Sequence, residues 1–193
     1  MTLPLFDLSL IKHVPQFERT HGERWMTNIE RVMVLSLLEH VRAQTVVEIG
    51  VNEGHLAFDV LKHLPIKEYI GIDLAPWSKH RLGIDSQNGE IPGSNIARLV
   101  RDRAQFRLID SERGSLDMSA LPICDAVIID GDHSAATVRH DTYLATNAVR
   151  SGGVIMWHDY QNISCEVTGV LEELATGRDI RWIENTNLAV ELR

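Results

Sequence analysis

Thr45–Ile49 reads TVVEI, a short β-branched run closed by Gly50, and the same design recurs along the chain. Glu68–Asp73, Phe106–Asp110 and Asp125–Asp130 are apolar runs that each end in an acid. Gly153–Trp157 runs straight into His158 and Asp159. Runs this short, rich in Val and Ile and bounded by Gly or Asp, read as buried strands. The segments between them read differently. Gly54–Leu64, Asn95–Arg103, Ser134–Val149 and Ile163–Ala175 have helical patterning, and Pro65 stops the first. Strands that alternate with helices and carry no polar face predict a parallel sheet covered on both sides. The fold class expected is therefore α/β, a Rossmann-like doubly wound sheet.

The ends of the chain add to this pattern. Thr27–Ala43 places Ile29, Val32, Met33, Leu35, Leu37, Leu38 and Val41 at amphipathic spacing, with Thr27 or Asn28 as cap and Glu30 nearby. Residues 1–26 are irregular. Ile180–Ile183 and Leu188–Leu192 predict two last strands joined by an Asn-rich turn, so the sheet is mostly parallel with an antiparallel C-terminal hairpin. This divides the chain into an N-terminal segment and helix, 1–44, suited to lid, substrate or subunit contacts, and a main domain, 45–193.

Composition removes several classes of function. A net charge of −8 argues against binding a nucleic-acid backbone. No apolar run approaches the ~20 residues of a membrane span, and residues 1–17 lack a secretory pattern. Cys124 and Cys165 sit among apolar residues without metal or redox spacing, so both are expected reduced and packed. A cytoplasmic protein is the expectation, with a homo-oligomer through the N-terminal helix as one option.

In an open parallel sheet, ligands bind beyond the carboxyl ends of the strands. Those ends carry Glu48 and Gly50, Asp73, Asp110, Asp130, then His158 and Asp159. One acid alone is readily explained as a cap or turn residue. Five brought to one edge by the topology are harder to explain that way. Gly50 permits a tight turn and Gly54 opens a helix whose exposed N–H groups favour negative charge. Asp73, 23 residues after Gly50, suits a ribose diol, although the full GxGxxG spacing is absent.

The runs VVEIGVNEGH and YIGIDLAP resemble the first two motifs of class I S-adenosylmethionine (SAM)-dependent methyltransferases. AVIIDGDHSAATVRHD and RSGGVIMWHDY resemble later motifs of a small-molecule O-methyltransferase group within that class, and IENTNLAVELR resembles its closing hairpin. The resemblance spans roughly 45–193. Asn52, where many members have glycine, and the polar insertion 78–93 depart from it. The resemblance implies that Glu48 lies near the methionine ammonium and that Gly50, Asn52 and Gly54 form the turn beneath the cofactor. It implies that Asp73 holds the ribose, that Asp110 and Ser111 contact the adenine edge, and that Asp130 borders the site.

It also implies transfer to a hydroxyl of a small molecule, a sugar or another metabolite. Such transfer needs the acceptor oxygen placed in line and its proton affinity lowered. A divalent metal, Mg²⁺ or Mn²⁺, is one device, which the resemblance places on Asp130, His158 and Asp159, with Asp132 as an alternative ligand. A histidine base, His133 or His158, is another. His158 as a ligand favours a softer metal than Mg²⁺. A purely structural His158 is the third option. Two further functions fit the fold class: an NAD-dependent Rossmann oxidoreductase, and a non-catalytic SAM-binding subunit.

Overall fold

The computed structural model describes residues 2–14, 26–73, 106–110 (backbone only) and 121–193. Seven strands form one sheet: β1 (Thr45–Ile49), β2 (Glu68–Asp73), β3 (Phe106–Asp110), β4 (Cys124–Ile129), β5 (Val149–Trp157), β6 (Arg181–Trp182) and β7 (Ala189–Leu192). Their spatial order is β3-β2-β1-β4-β5-β7-β6. Strands β1 to β5 pair in parallel, whereas β7 is antiparallel to both β5 and β6. The doubly wound sheet with a reversed C-terminal hairpin is thus as expected. The order reverses beside β1, between β1 and β4, which is where such sheets open a crevice.

The helices are α1 (Asn28–His40), α2 (His55–His63), α3 (Ala135–Ala148) and α4 (Val167–Leu174). Alternate strand residues feed two cores. Val46, Tyr69, Ile128 and Met156 pack with Leu35 and Leu38 of α1 and Leu56 and Val60 of α2. Val47, Ile70, Val127, Ile155 and Trp157 pack with Val138 and Ala145 of α3 and Val170 and Leu171 of α4. Both faces being dry explains why the strands read as unbroken apolar runs rather than alternating ones. Among the described residues no helix is long and apolar enough to cross a membrane.

Several boundaries differ from the sequence expectation. Helix α1 stops at His40 because Arg42 turns left-handed (φ 54°). Strand β5 starts at Val149 rather than Gly153, and α4 starts at Val167 rather than Ile163. Ile163, the first residue of the expected helix, is 99% exposed on a turn. Asn162 makes that turn by accepting from the Ser164 N–H at 3.0 Å. The irregular N-terminus contains one 3₁₀ turn, Leu8–Leu10, capped by Asp7. The insertion 78–93, the expected helix Asn95–Arg103 and Ser111 lie outside the described residues.

Register determines what reaches the edge. Ile49 lies beside Ile72 and Ile129, Asp73 beside Asp110, and Ile129 beside Trp157. The residues that follow β1, β4 and β5 therefore emerge side by side.

Candidate active site

The turn after β1 is held from both sides. Gly50 has φ +88° and donates its N–H to Ile72 O at 2.8 Å. A Cβ at this position would stand 2.0 Å from the carbonyl oxygen of Asp130. Glycine is demanded here by the neighbouring strand's backbone, independently of any ligand. Asn52 is left-handed (φ 48°) and its backbone N–H donates to Asp73 Oδ2 at 2.6 Å. Its side-chain Oδ1 is buried and has no hydrogen-bond partner among the described residues. Such an atom is costly unless a donor reaches it. Gly54, also left-handed, precedes α2, and no side chain caps that helix. The first N–H groups of α2 are open to a ligand. The orphan acceptor and the Asp73 carboxylate fit hydroxyl or ammonium donors of a ligand, and the helix start fits an acceptor group on it.

Glu48 lies just before this turn and is almost wholly buried. The Tyr69 hydroxyl donates to its Oε2 at 2.9 Å. Burial, then the nearby charges of Asp130 and Asp73, push its carboxyl well above the ordinary range, against the pull of the Tyr69 bond. A cation arriving at this edge would reverse that shift. Asp110 ends β3 beside Asp73, so its backbone is at the same edge.

The ends of β4 and β5 converge on four titratable side chains: Asp130, His133, His158 and Asp159. The His158 N–H continues the sheet ladder to Ile129 O at 3.0 Å. Its ring Nδ1 sits 3.2 Å from both Asp130 Oδ1 and Asp159 Oδ2. Asp159 is left-handed (φ 62°), an expensive conformation for a residue with a Cβ. That bend brings its Oδ2 to 2.9 Å from His133 Nε2, while Asn162 Nδ2 donates to Oδ1 at 2.7 Å. His133 Nε2 is 3.9 Å from Asp130 Oδ1, beyond hydrogen-bond length.

The charges are mutually supporting. The carboxylates of Asp130 and Asp159 raise His133 to a pKa of about 10, with burial opposing. Burial alone would lower His158, but the charge and hydrogen bond of Asp130, then Asp159 and Glu30, raise it to about 12. Burial would likewise raise Asp159, but the two histidines hold it far below the usual carboxylate range. Both histidines are thus shifted toward the protonated form, and the His158 ring lies between two carboxylates.

Among the described residues, Asp130, His133 and Asp159 offer donor atoms that all lie within 4.8 Å of one another, whereas the sequence expectation names Asp130, His158 and Asp159. Two carboxylates and one imidazole fit a divalent ion of the Mn²⁺, Fe²⁺ or Zn²⁺ type once His133 gives up its proton. Asp132 Oδ1 instead accepts from the Ser134 N–H at 2.8 Å, at the start of α3.

Sequence reasoning missed two residues. Tyr160 is fully buried, donates its N–H to Asn187 O at 3.0 Å, and accepts from the Leu3 N–H on its hydroxyl at 2.8 Å. It thereby pins the strained turn between Asp159 and Gln161. Glu30, legible only as a helix-capping residue, has its Oε2 at 3.6 Å from His158 Nε2.

Known proteins bear on this architecture. A relative from Acanthamoeba polyphaga mimivirus, an uncharacterized protein, is 32% identical over 123 residues, 61% of this chain; the matched part spans about half (52%) of that relative's length. A candidate caffeoyl-CoA O-methyltransferase from Staphylococcus aureus superposes with a TM-score of 0.64 at 14% identity, covering 93% of this chain and 86% of that one. An O-methyltransferase from Bacillus cereus in complex with S-adenosylhomocysteine (SAH) superposes with a TM-score of 0.59 at 14% identity, covering 91% and 84%. At such identities the likeness is one of fold. The family model described as a methyltransferase domain matches residues 47–160, from β1 through the strained turn after β5. With that match over more than half its length, the chain belongs to the methyltransferase-domain family.

Proposed function

We propose that this chain transfers the methyl group of SAM to a hydroxyl of a small hydroxylated molecule, assisted by a divalent metal. The observation that carries the reading is the placement, on one sheet edge, of the Asn52–Asp73 turn beside the Asp130–His133–Asp159 cluster. Asp73 would accept from ribose hydroxyls, Asn52 Oδ1 from a donor of the cofactor, and Glu48 would face its ammonium. When bound, the cofactor supplies an electrophilic methyl group and the metal supplies Lewis acidity to an acceptor oxygen. Asp130, His133 and Asp159 would hold the metal. His158 balances the charge of the two carboxylates, and Tyr160 and Asn162 keep Asp159 aimed. The buried ring of His158 also excludes water from one side of the cluster.

The NAD-dependent alternative has no observation in its favour, since the chain belongs to a methyltransferase family. The test is calorimetry with SAM and SAH, followed by thermal shift with Mn²⁺. Stoichiometric binding of both cofactor forms is expected. Asp73→Ala should weaken it at least about tenfold, the equivalent of about 1.4 kcal/mol. Asp159→Asn should leave cofactor binding intact while removing the Mn²⁺-dependent shift. No cofactor binding by the unaltered protein would sink the proposal. An unaltered Mn²⁺ shift in Asp159→Asn would sink its metal component.

A further inference from the structure

Glu30 is the third residue of α1 and closes a capping box: the Thr27 N–H and hydroxyl donate to its Oε2 at 2.7 and 2.8 Å. Its Oε1 accepts from the Asn187 N–H at 2.7 Å, on the turn before β7. These bonds occupy both carboxylate oxygens, so glutamine, with one acceptor oxygen, could keep only one side of them. The side chain is a carboxylate with only 3% of its surface exposed, and a buried charge is costly without a counter-charge.

The counter-charge is His158. Its Nε2 stands 3.6 Å from Glu30 Oε2, too far for a hydrogen bond and close enough for an ion pair. Among the described residues, that buried Nε2 has no hydrogen-bond partner, and on this side it faces the Glu30 carboxylate. On its other side, Nδ1 is shared between Asp130 and Asp159. The order from the interior outward is Glu30, His158, the Asp130–Asp159 pair, then His133. Charges alternate at each step. Two carboxylates this close repel unless a cation stays between them.

We propose that Glu30 is a positioning residue of the transfer site, its charge fixing the His158 ring so that Asp130 and Asp159 stay side by side. The inference rests on the methyltransferase reading for what the cluster does, and on these contacts for how it is held. It also makes the first turn of α1 and the Asn187 turn part of the same assembly, because one carboxylate joins all three.

The test uses the full chain labelled with ¹⁵N-histidine, with SAH as the added probe. Ring signals of His158 are assigned by their loss in His158→Gln. In Glu30→Gln they should shift or broaden, while those of the distant, exposed His13 stay in place. Glu30→Asp, which keeps the charge, should return them most of the way. Thr27→Ala breaks the same capping box, so it should lower Tm by about 2–4 °C yet leave the His158 signals unmoved. Unchanged His158 signals in Glu30→Gln overturn the proposal, as does an equal displacement in Thr27→Ala. If Glu30→Gln is too unstable to label, Glu30→Asp decides: His158 signals close to the wild-type positions are expected, and their displacement overturns the proposal. Absent SAH binding in the same wild-type sample would count against the methyltransferase reading alone.

Discussion

At the scale of single residues, the sequence shows which side chains are unusual but not which neighbour makes them so. Gly50 looked like a ligand-binding glycine, and its first constraint proves to be the Asp130 carbonyl. Glu30 looked like a cap, and it is also the counter-charge of His158. Its burial alone would raise its pKa, but His158, then Asn187 and Thr27, bring it down to about 2 from 4.5. A carboxylate lowered in this way stabilises the folded chain above the unfolded pKa. That stabilisation is lost as pH falls from about 4.5 through about 2. The amount is on the order of 3 kcal/mol. Urea midpoints measured between pH 5 and pH 2.5 should therefore fall less steeply in Glu30→Gln than in the unaltered protein. Parallel slopes would show that Glu30 is not the group responsible.

At the scale of elements, periodicity located every strand except at its ends. The errors fell where side-chain hydrogen bonds or left-handed residues overrule apolar spacing. Asn162 turned the expected first turn of the last helix into a loop, and Arg42 cut α1 short. The turn after β5 carries two left-handed non-glycine residues, Asp159 and Gln161, with Tyr160 anchored between them. Removing the Tyr160 hydroxyl leaves the buried Leu3 N–H without its 2.8 Å acceptor. Tyr160→Phe should cost about 1–3 kcal/mol by urea denaturation. Residues 2–7 should also become more accessible to protease, because Leu3 loses its tie to the turn. Wild-type protease resistance at that terminus would show that the tie carries no weight.

At the scale of the whole molecule, one sheet with two dry faces sets both stability and site. Trp157 closes β5, fully buried, with Nε1 donating to Thr142 Oγ1 of α3 at 2.9 Å. It is also the residue immediately before His158. Trp157→Ala should destabilise by about 3–5 kcal/mol, read as a lower urea midpoint with an unchanged slope. Below its unfolding transition the variant should still bind SAM, since the glycine turn after β1 lies two strands away and Asp73 on β2 three, in the order β2-β1-β4-β5. The sequence by itself determined the class of fold, because strand and helix periods are local and acids at strand ends mark the ligand edge. It determined that Asp130, His133, His158 and Asp159 would gather there. Only the tertiary structure decided how they divide the work. Which histidine faces outward depends on a left-handed Asp159, and which stays inside depends on a carboxylate more than a hundred residues away in α1. Side-chain direction and buried charge balance are set by such distant contacts, and no local pattern encodes them.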